Sequence, residues 1–212
     1  AELKDLWEQQ AWKYNVFPLY DDVLKRSAKR TAQLFKGQTK FVYYFPGAMN
    51  IADTVAAPIK AVDHSMSTRL NLQGDERGVI VADGGVEGGF SWYIKNRRLH
   101  YDYRWIDGSF YRLRSGKLPK GDVTLRFDYK KLGPISGKGF LRVNDELVDE
   151  VSMPQVAFGK FSLSETFDVG VDTGTTVSGM LEHGQKFIGN LDQVEIELTA
   201  AKVSGAAVGR DL

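Results

Sequence analysis

The apolar positions of this chain follow two different periods. At the start, Leu3, Leu6, Trp7, Ala11 and Tyr14 recur at helical spacing while Lys4, Glu8 and Lys13 fall on the other side, which predicts one amphipathic helix. Pro18 keeps the turn Asn15 to Pro18 out of that helix. A linker through about Gly37 follows, carrying Asp21, Asp22 and the basic run Lys25, Arg26, Lys29 and Arg30. From Lys40 the period drops to two. Phe41 to Phe45 reads as an aromatic strand stopped by Pro46-Gly47. Val62, His64, Met66, Thr68, Leu70 and Leu72 alternate with Asp63, Ser65, Ser67, Arg69 and Asn71, the pattern of a strand with one face buried.

Val79 to Ala82 predicts a short buried strand. Asp83 to Gly89 reads as a tight loop whose four glycines permit positive φ, after which Phe90, Trp92 and Ile94 share a face. Leu99, Tyr101, Tyr103 and Trp105 stand opposite Arg98, His100, Asp102 and Arg104, and the Asp107-Gly108 turn leads to Phe110 to Arg114. Val123, Leu125, Phe127 and Tyr129 alternate with Thr124, Arg126, Asp128 and Lys130. Gly133 to Gly139 breaks the pattern, Leu141 and Val143 reach the Asn144-Asp145 turn, Leu147 to Val151 returns, and Val194, Ile196 and Leu198 close the series. About ten to thirteen strands with no helical pattern between them predict an all-β fold, a two-sheet antiparallel sandwich of jelly-roll type with a short N-terminal helix. The expected division is 1–37 for helix and linker, 38–200 for the sandwich and 201–212 for a tail of small residues.

Composition narrows the function classes without choosing one. With 28 Lys+Arg against 27 Asp+Glu the net charge is +1, which argues against a general polyanion binder, and no nucleic-acid-reading element is recognisable. No apolar run approaches the roughly 20 residues of a membrane span, so neither nucleic acid nor membrane insertion is expected. Cysteine is absent, which removes disulfides, thiol nucleophiles and thiolate metal sites. The first helix lacks an initiator Met, a capping residue and a secretion-signal layout, so the chain reads as a segment of something longer; a processed N-terminus would look similar.

Three histidines, His64, His100 and His183, lie far apart, and no Gly-x-Ser-x-Gly elbow is present, so no nucleophilic triad is expected. Glu195 and Glu197 share a strand face, but the alternation turns that face to solvent. Asp168 and Asp172 lie in a glycine-containing bend that could hold a structural calcium ion; the competing reading has them hydrogen-bonding their own turn. Charge is uneven: eight Lys+Arg stand against Asp102 and Asp107 between Lys95 and Lys120, whereas eleven acidic residues stand against Lys160 and Lys186 between Asp145 and Glu197. Arg98, His100 and Arg104, joined by Arg112 and Arg114, could line one sheet surface and grip sulfate, phosphate or carboxylate; the alternative is cross-strand pairing with acidic strands.

The run Leu6-Trp7-Glu8-Gln9-Gln10-Ala11-Trp12-Lys13-Tyr14-Asn15-Val16-Phe17-Pro18-Leu19-Tyr20-Asp21-Asp22 resembles the stretch near the end of the sulfatase domain in bacterial arylsulfatases, with Phe17 and Tyr20 where Leu and Asp are usual. Tyr43-Tyr44-Phe45-Pro46-Gly47, Ala57-Pro58, His64-Ser65-Met66-Ser67, Gly78 to Gly89, Leu118-Pro119-Lys120-Gly121, Leu163 to Gly174 and Phe187-Ile188-Gly189 resemble the C-terminal extension of the same proteins, in order and spacing.

The resemblance implies a non-catalytic accessory sandwich, similar to concanavalin A-like and laminin G-like domains, packing on a sulfatase domain that would itself hold calcium and formylglycine. The formylglycine signature Cys/Ser-x-Pro-x-Arg is missing; Ser152-Met153-Pro154-Gln155-Val156 has Val156 in the place of its Arg. No catalytic residue of the family can therefore be carried over, and this segment needs no cofactor beyond the calcium considered above. A periplasmic or secreted location goes with the resemblance, and homo-oligomer contacts are compatible with it. The alternative function is a carbohydrate-binding, lectin-like module that holds a sulfated glycan through Trp92, Trp105, Arg98, His100 and Arg104. An independent hydrolase is the third class, which turnover of an aryl sulfate or a glycan would reveal.

Overall fold

The computed structural model describes residues 2–19, 34–162 and 164–199; Asp21, Asp22, the basic run 25–30, Leu163 and the 201–212 tail lie outside them. The chain divides into two compact units, 1–37 and 38–212. In the first, α1 (Glu2–Lys13) is stopped by Asn15 in the left-handed region (φ 55°), and Val16 N donates to Ala11 O while Asn15 N donates to Trp12 O. That pair of bonds is the Schellman closure of a helix C-terminus, with Asn in the place glycine usually takes. Phe17 then sets its ring 5.2 Å from Trp7 and 5.1 Å from Trp12. Leu3, Leu6, Trp7 and Trp12 nonetheless stay exposed, Leu3 at 83%.

The second unit is a two-sheet antiparallel sandwich of jelly-roll type. One sheet runs β1 (Lys40–Tyr44), β12 (Gln193–Leu198), β3 (His64–Leu72), β8 (Gly121–Gly133), β9 (Ser136–Val143), β10 (Glu146–Met153). The other runs β2 (Ile51–Ala52), β11 (Thr166–Val169), β4 (Gly78–Gly85), β5 (Gly88–Lys95), β6 (Arg98–Arg104), β7 (Phe110–Lys117). The alternation in β3 and β8 is realised as drawn: Met66, Leu70, Leu72, Val123, Leu125 and Phe127 are buried. The two sheets meet ring to ring, Tyr101 of β6 stacking on Phe127 of β8 at 3.7 Å and Phe167 of β11 packing on Tyr43 of β1 at 4.7 Å. Asn144 and Asp145 both take positive φ (51° and 65°), the two-residue turn whose twist suits a hairpin. No helix among the described residues is long and apolar enough to cross a membrane.

Two glycine-rich stretches turn out to be strand rather than loop. Asp83–Gly85 belongs to β4 and Gly88–Gly89 to β5, leaving only Val86-Glu87 as the turn. The glycines serve close approach: a Cβ on Gly84 would lie 2.8 Å from Gly89 Cα, and a Cβ on Gly89 2.8 Å from Gly84 Cα. Gly137 and Gly139 likewise lie in β9, Gly139 under Phe127 and Met153. The segment between β11 and β12 forms a strap over the outer face of the second sheet. Leu181 packs on Val79, Ala82 and Tyr93, Ser178 Oγ donates to Asp102 Oδ2 at 2.6 Å, and Lys95 Nζ donates to Met180 O. Strands β4 and β5 and the middle of β6 are thus buried on both faces.

Candidate functional site

β6 and β7 pair so that His100 faces Arg114, Asp102 faces Arg112 and Arg104 faces Phe110. Because successive side chains alternate, Leu99, Tyr101, Tyr103 and Leu113 enter the core. Arg98, Arg104, Phe110, Arg112 and Arg114 fall on the outer face, half-buried or exposed. There the Arg112 guanidinium lies 4.1 Å from the Phe110 ring centroid and that of Arg104 5.5 Å from the same ring. Arg98 Nη1 donates to Ser115 O at 3.0 Å, whereas Arg104 Nε is buried with no hydrogen-bond partner. Arg114 is exposed and its guanidinium has no ion-pair partner among the described residues.

Two carboxylates stand by these four arginines: Asp149, whose Oδ2 accepts from the Arg114 backbone N at 2.8 Å, and Asp102. Asp102 accepts from Ser178 at 2.6 Å and Tyr93 at 3.2 Å, and Arg112 Nε reaches it only at 3.8 Å. Such a surface can take an anion through paired N–H donors. The structure brings Arg104 and Arg112 together around Phe110, a ring the sequence reading does not include, whereas Arg98 lies at the other end of β6.

Three other expected members of this site are placed differently. Trp92 is 0% exposed in the core and cannot meet a glycan. Its strand carries Tyr93 inward on the strap side as well, and the run Phe90-Ser91-Trp92-Tyr93-Ile94, apolar on nearly every position, is the signal of a doubly covered strand. His100 is 3% exposed, stacked on Tyr93 at 4.8 Å; burial, then the Arg114 charge, lower its pKa, so it is neutral and not a surface cation. Trp105 is half-buried just past β6, its backbone N–H donating to Ser109 O across the turn.

Asp168 and Asp172 are both buried. Asp168 Oδ1 accepts from Asn50 N at 2.6 Å, and Oδ2 from Thr173 Oγ1 at 2.8 Å, Thr166 Oγ1 at 3.0 Å and Thr173 N at 3.2 Å. Only Asp172 Oδ2 is left without a partner, and burial, then Asp168 and Glu165, push Asp172 up to about 7. Among the described residues no three Asp, Glu or His converge as metal ligands, and one free oxygen is far from the six to eight that calcium takes.

A buried charge cluster lies elsewhere. Lys60 Nζ donates to Asp83 Oδ2 at 2.6 Å and to Asp53 Oδ1, over the Phe161 ring at 4.7 Å. Burial opposes the Lys60 charge but the two carboxylates outweigh it, so its pKa is raised, while burial pushes Asp83 up to about 7. Glu195 and Glu197 face outward and meet Lys40 at 2.7 and 3.5 Å. Ser178 is fully buried and donates to Asp102 itself, so no imidazole activates it.

No protein-family model matches the chain, and no curated protein matches it. Among solved structures it is similar to the mouse laminin α1 chain, domains LG4-5, at 10% identity and TM-score 0.47, over 77% of this chain and 40% of that one. It is also similar to the receptor-binding domain of botulinum neurotoxin type G, at 11% identity and TM-score 0.39, over 64% and 33%, and to the binding domain of Paraclostridial Mosquitocidal Protein 1, at 9% and 0.40, over 75% and 38%. The chain spans a third to two-fifths of the length of these proteins. None of the three is a sulfatase, and the likeness between them and this chain is one of fold.

Proposed function

We propose that this chain is the accessory β-sandwich of an arylsulfatase-type sulfuric ester hydrolase, non-catalytic by itself, and that it packs on the parent's sulfatase domain. The observation that carries the reading is α1. It lies in the run that resembles the end of a sulfatase domain, and it leaves Leu3, Leu6, Trp7 and Trp12 exposed, an apolar surface that needs a partner. In this reading calcium and formylglycine belong to the parent's catalytic domain, and the location is periplasmic or secreted. The test is the coding sequence upstream of Ala1. A Cys/Ser-x-Pro-x-Arg signature in the same reading frame supports the assignment, and a frame without one overturns it.

A second reading, a module that binds sulfated glycan, is favoured by the Arg104–Phe110–Arg112 arrangement with its unpartnered Arg104 Nε. Binding of a sulfated oligosaccharide that is lost in Arg104→Ala and Arg112→Ala, with no binding of the desulfated form, supports it. Equal binding of both forms overturns the role of the arginines.

A further inference from the structure

The outer face of the first sheet carries a recess of about 260 Å3, lined in part by Asp63, Arg126, Asp128, Lys130, Phe140 and Arg142. Arg126 of β8 and Arg142 of β9 are register partners and share Asp128, Arg126 Nε donating to Oδ1 at 2.6 Å and Arg142 Nε to Oδ2 at 3.0 Å. Lys130 is paired with Asp63 at the rim. One carboxylate between two guanidiniums leaves a positive charge, and the two Nη groups of Arg126 have no hydrogen-bond partner among the described residues. Phe140 presents a half-buried ring beside them.

His64 and Tyr129, which alternate with these groups, turn their rings to the core side of the sheet, where they line an inner cavity of about 20 Å3, room for about one water. They are 7% and 5% exposed, yet His64 Nε2 and the Tyr129 hydroxyl are buried with no partner. His64 Nδ1 lies 2.7 Å from Val62 O, which can only accept, so Nδ1 carries the hydrogen and Nε2 is a bare acceptor. Burial lowers this imidazole to about 4 and keeps it neutral. A buried acceptor and a buried hydroxyl left unpaired are costly, and on the core side of the sheet they mark a place for a water.

We propose that this recess binds one acidic monosaccharide unit of a glycan, a pyranose bearing a carboxylate or a sulfate. The guanidiniums match the planar or threefold anionic group, Asp63 and Asp128 accept ring hydroxyls, and Phe140 covers an apolar ring face. The inference rests on the glycan-binding reading and moves its recognition to the sheet opposite the β6–β7 arginines.

Two-dimensional amide NMR of the whole chain, titrated with glucuronic acid, galactose 6-sulfate and uncharged galactose at millimolar concentrations, tests it. The expected result is shifts at Ser65, Arg126, Lys130 and Arg142 for the two acids. Binding should weaken at least tenfold in Arg126→Gln and Arg142→Gln and stay unchanged in Arg104→Ala. Shifts confined to β6 and β7 and lost in Arg104→Ala overturn this site and leave the glycan reading standing. Galactose binding as tightly as the acids overturns the acidic assignment, and no response at either face overturns both.

Discussion

Replacing Lys60 by Met would leave Asp53 and Asp83 in one dry pocket with no cation between them. The Lys60 side chain is 5% exposed and that of Asp83 1%, so water cannot screen what remains. Burial pushes Asp83 up to about 7 even with the ammonium pulling the other way; without Lys60, one more carboxyl must enter the folded state protonated. A carboxyl that is neutral when folded and ionised when unfolded costs about 1.4 kcal/mol per pH unit above its unfolded pKa near 4. The penalty is therefore about 4 kcal/mol at pH 7 and about 1.5 kcal/mol at pH 5, in line with the ~3–5 kcal/mol lost when one member of a buried pair is removed. The sign follows from the raised folded-state pKa: the native state holds a proton that the unfolded chain releases, so its contribution is present at low pH and lost as pH rises. Urea unfolding of Lys60→Met and the parent chain, followed by tryptophan fluorescence at pH 5, 6 and 7, measures the difference directly. A loss under about 1 kcal/mol at pH 7, or one that does not shrink on acidification, refutes the account of the cluster.

Three further outcomes follow from the same geometry. Gly89→Ala should cost more than about 2 kcal/mol in the same assay, because its Cβ would strike the Asp83 carbonyl and sit 2.8 Å from Gly84 Cα at a φ of 147°; a neutral result would mean that β4 and β5 can part. Asp172 and His64 tilt the pH profile in opposite senses. Asp172, raised to about 7, loses its stabilising contribution as pH climbs from about 4 to 7, and Asp172→Asn should flatten that limb; His64, lowered to about 4, makes stability fall as pH drops from about 6.5, and His64→Phe should remove up to about 3 kcal/mol of that acid-side loss. Millimolar calcium should move the melting temperature by less than about 1 °C, since Asp168 is already occupied by four donors; a larger rise that vanishes in Asp172→Ala would restore the metal site.

The strands whose one face meets water were legible in the sequence. In β3 and β8 the buried set is the set that alternation picks out, and Asn144-Asp145 announced its hairpin through two residues that tolerate positive φ. What failed was the inference that the complementary face is solvent. In β5 and β6 it lies under the strap, a segment with no period of its own, whose Leu181 and Ser178 reach across some eighty residues to Tyr93 and Asp102. Local pattern carries no information about contacts of that range. The glycines misled for a related reason: a glycine that permits a turn and a glycine that lets two backbones touch look alike in a sequence, and Gly84 and Gly89 are of the second kind.

The candidate surfaces show the same division. Charge counting located the arginines of β6 and β7, because like charges two residues apart on paired strands must share a face. It could not say that His100 would be covered, it included Trp92 although the alternation sets that ring with Phe90 and Ile94 on the core face, and it left out Phe110. The recess on the other sheet is not visible at all in the sequence, although Arg126, Asp128 and Lys130 form the polar set of their strand's alternation. Its distinguishing feature is the register that sets Arg142 across from Arg126. Register is a property of paired strands, so a single strand's sequence does not show it. If the acidic-sugar titration moves the Arg126 amide, a reading based on charge runs alone will have pointed to the wrong sheet while naming the right chemistry.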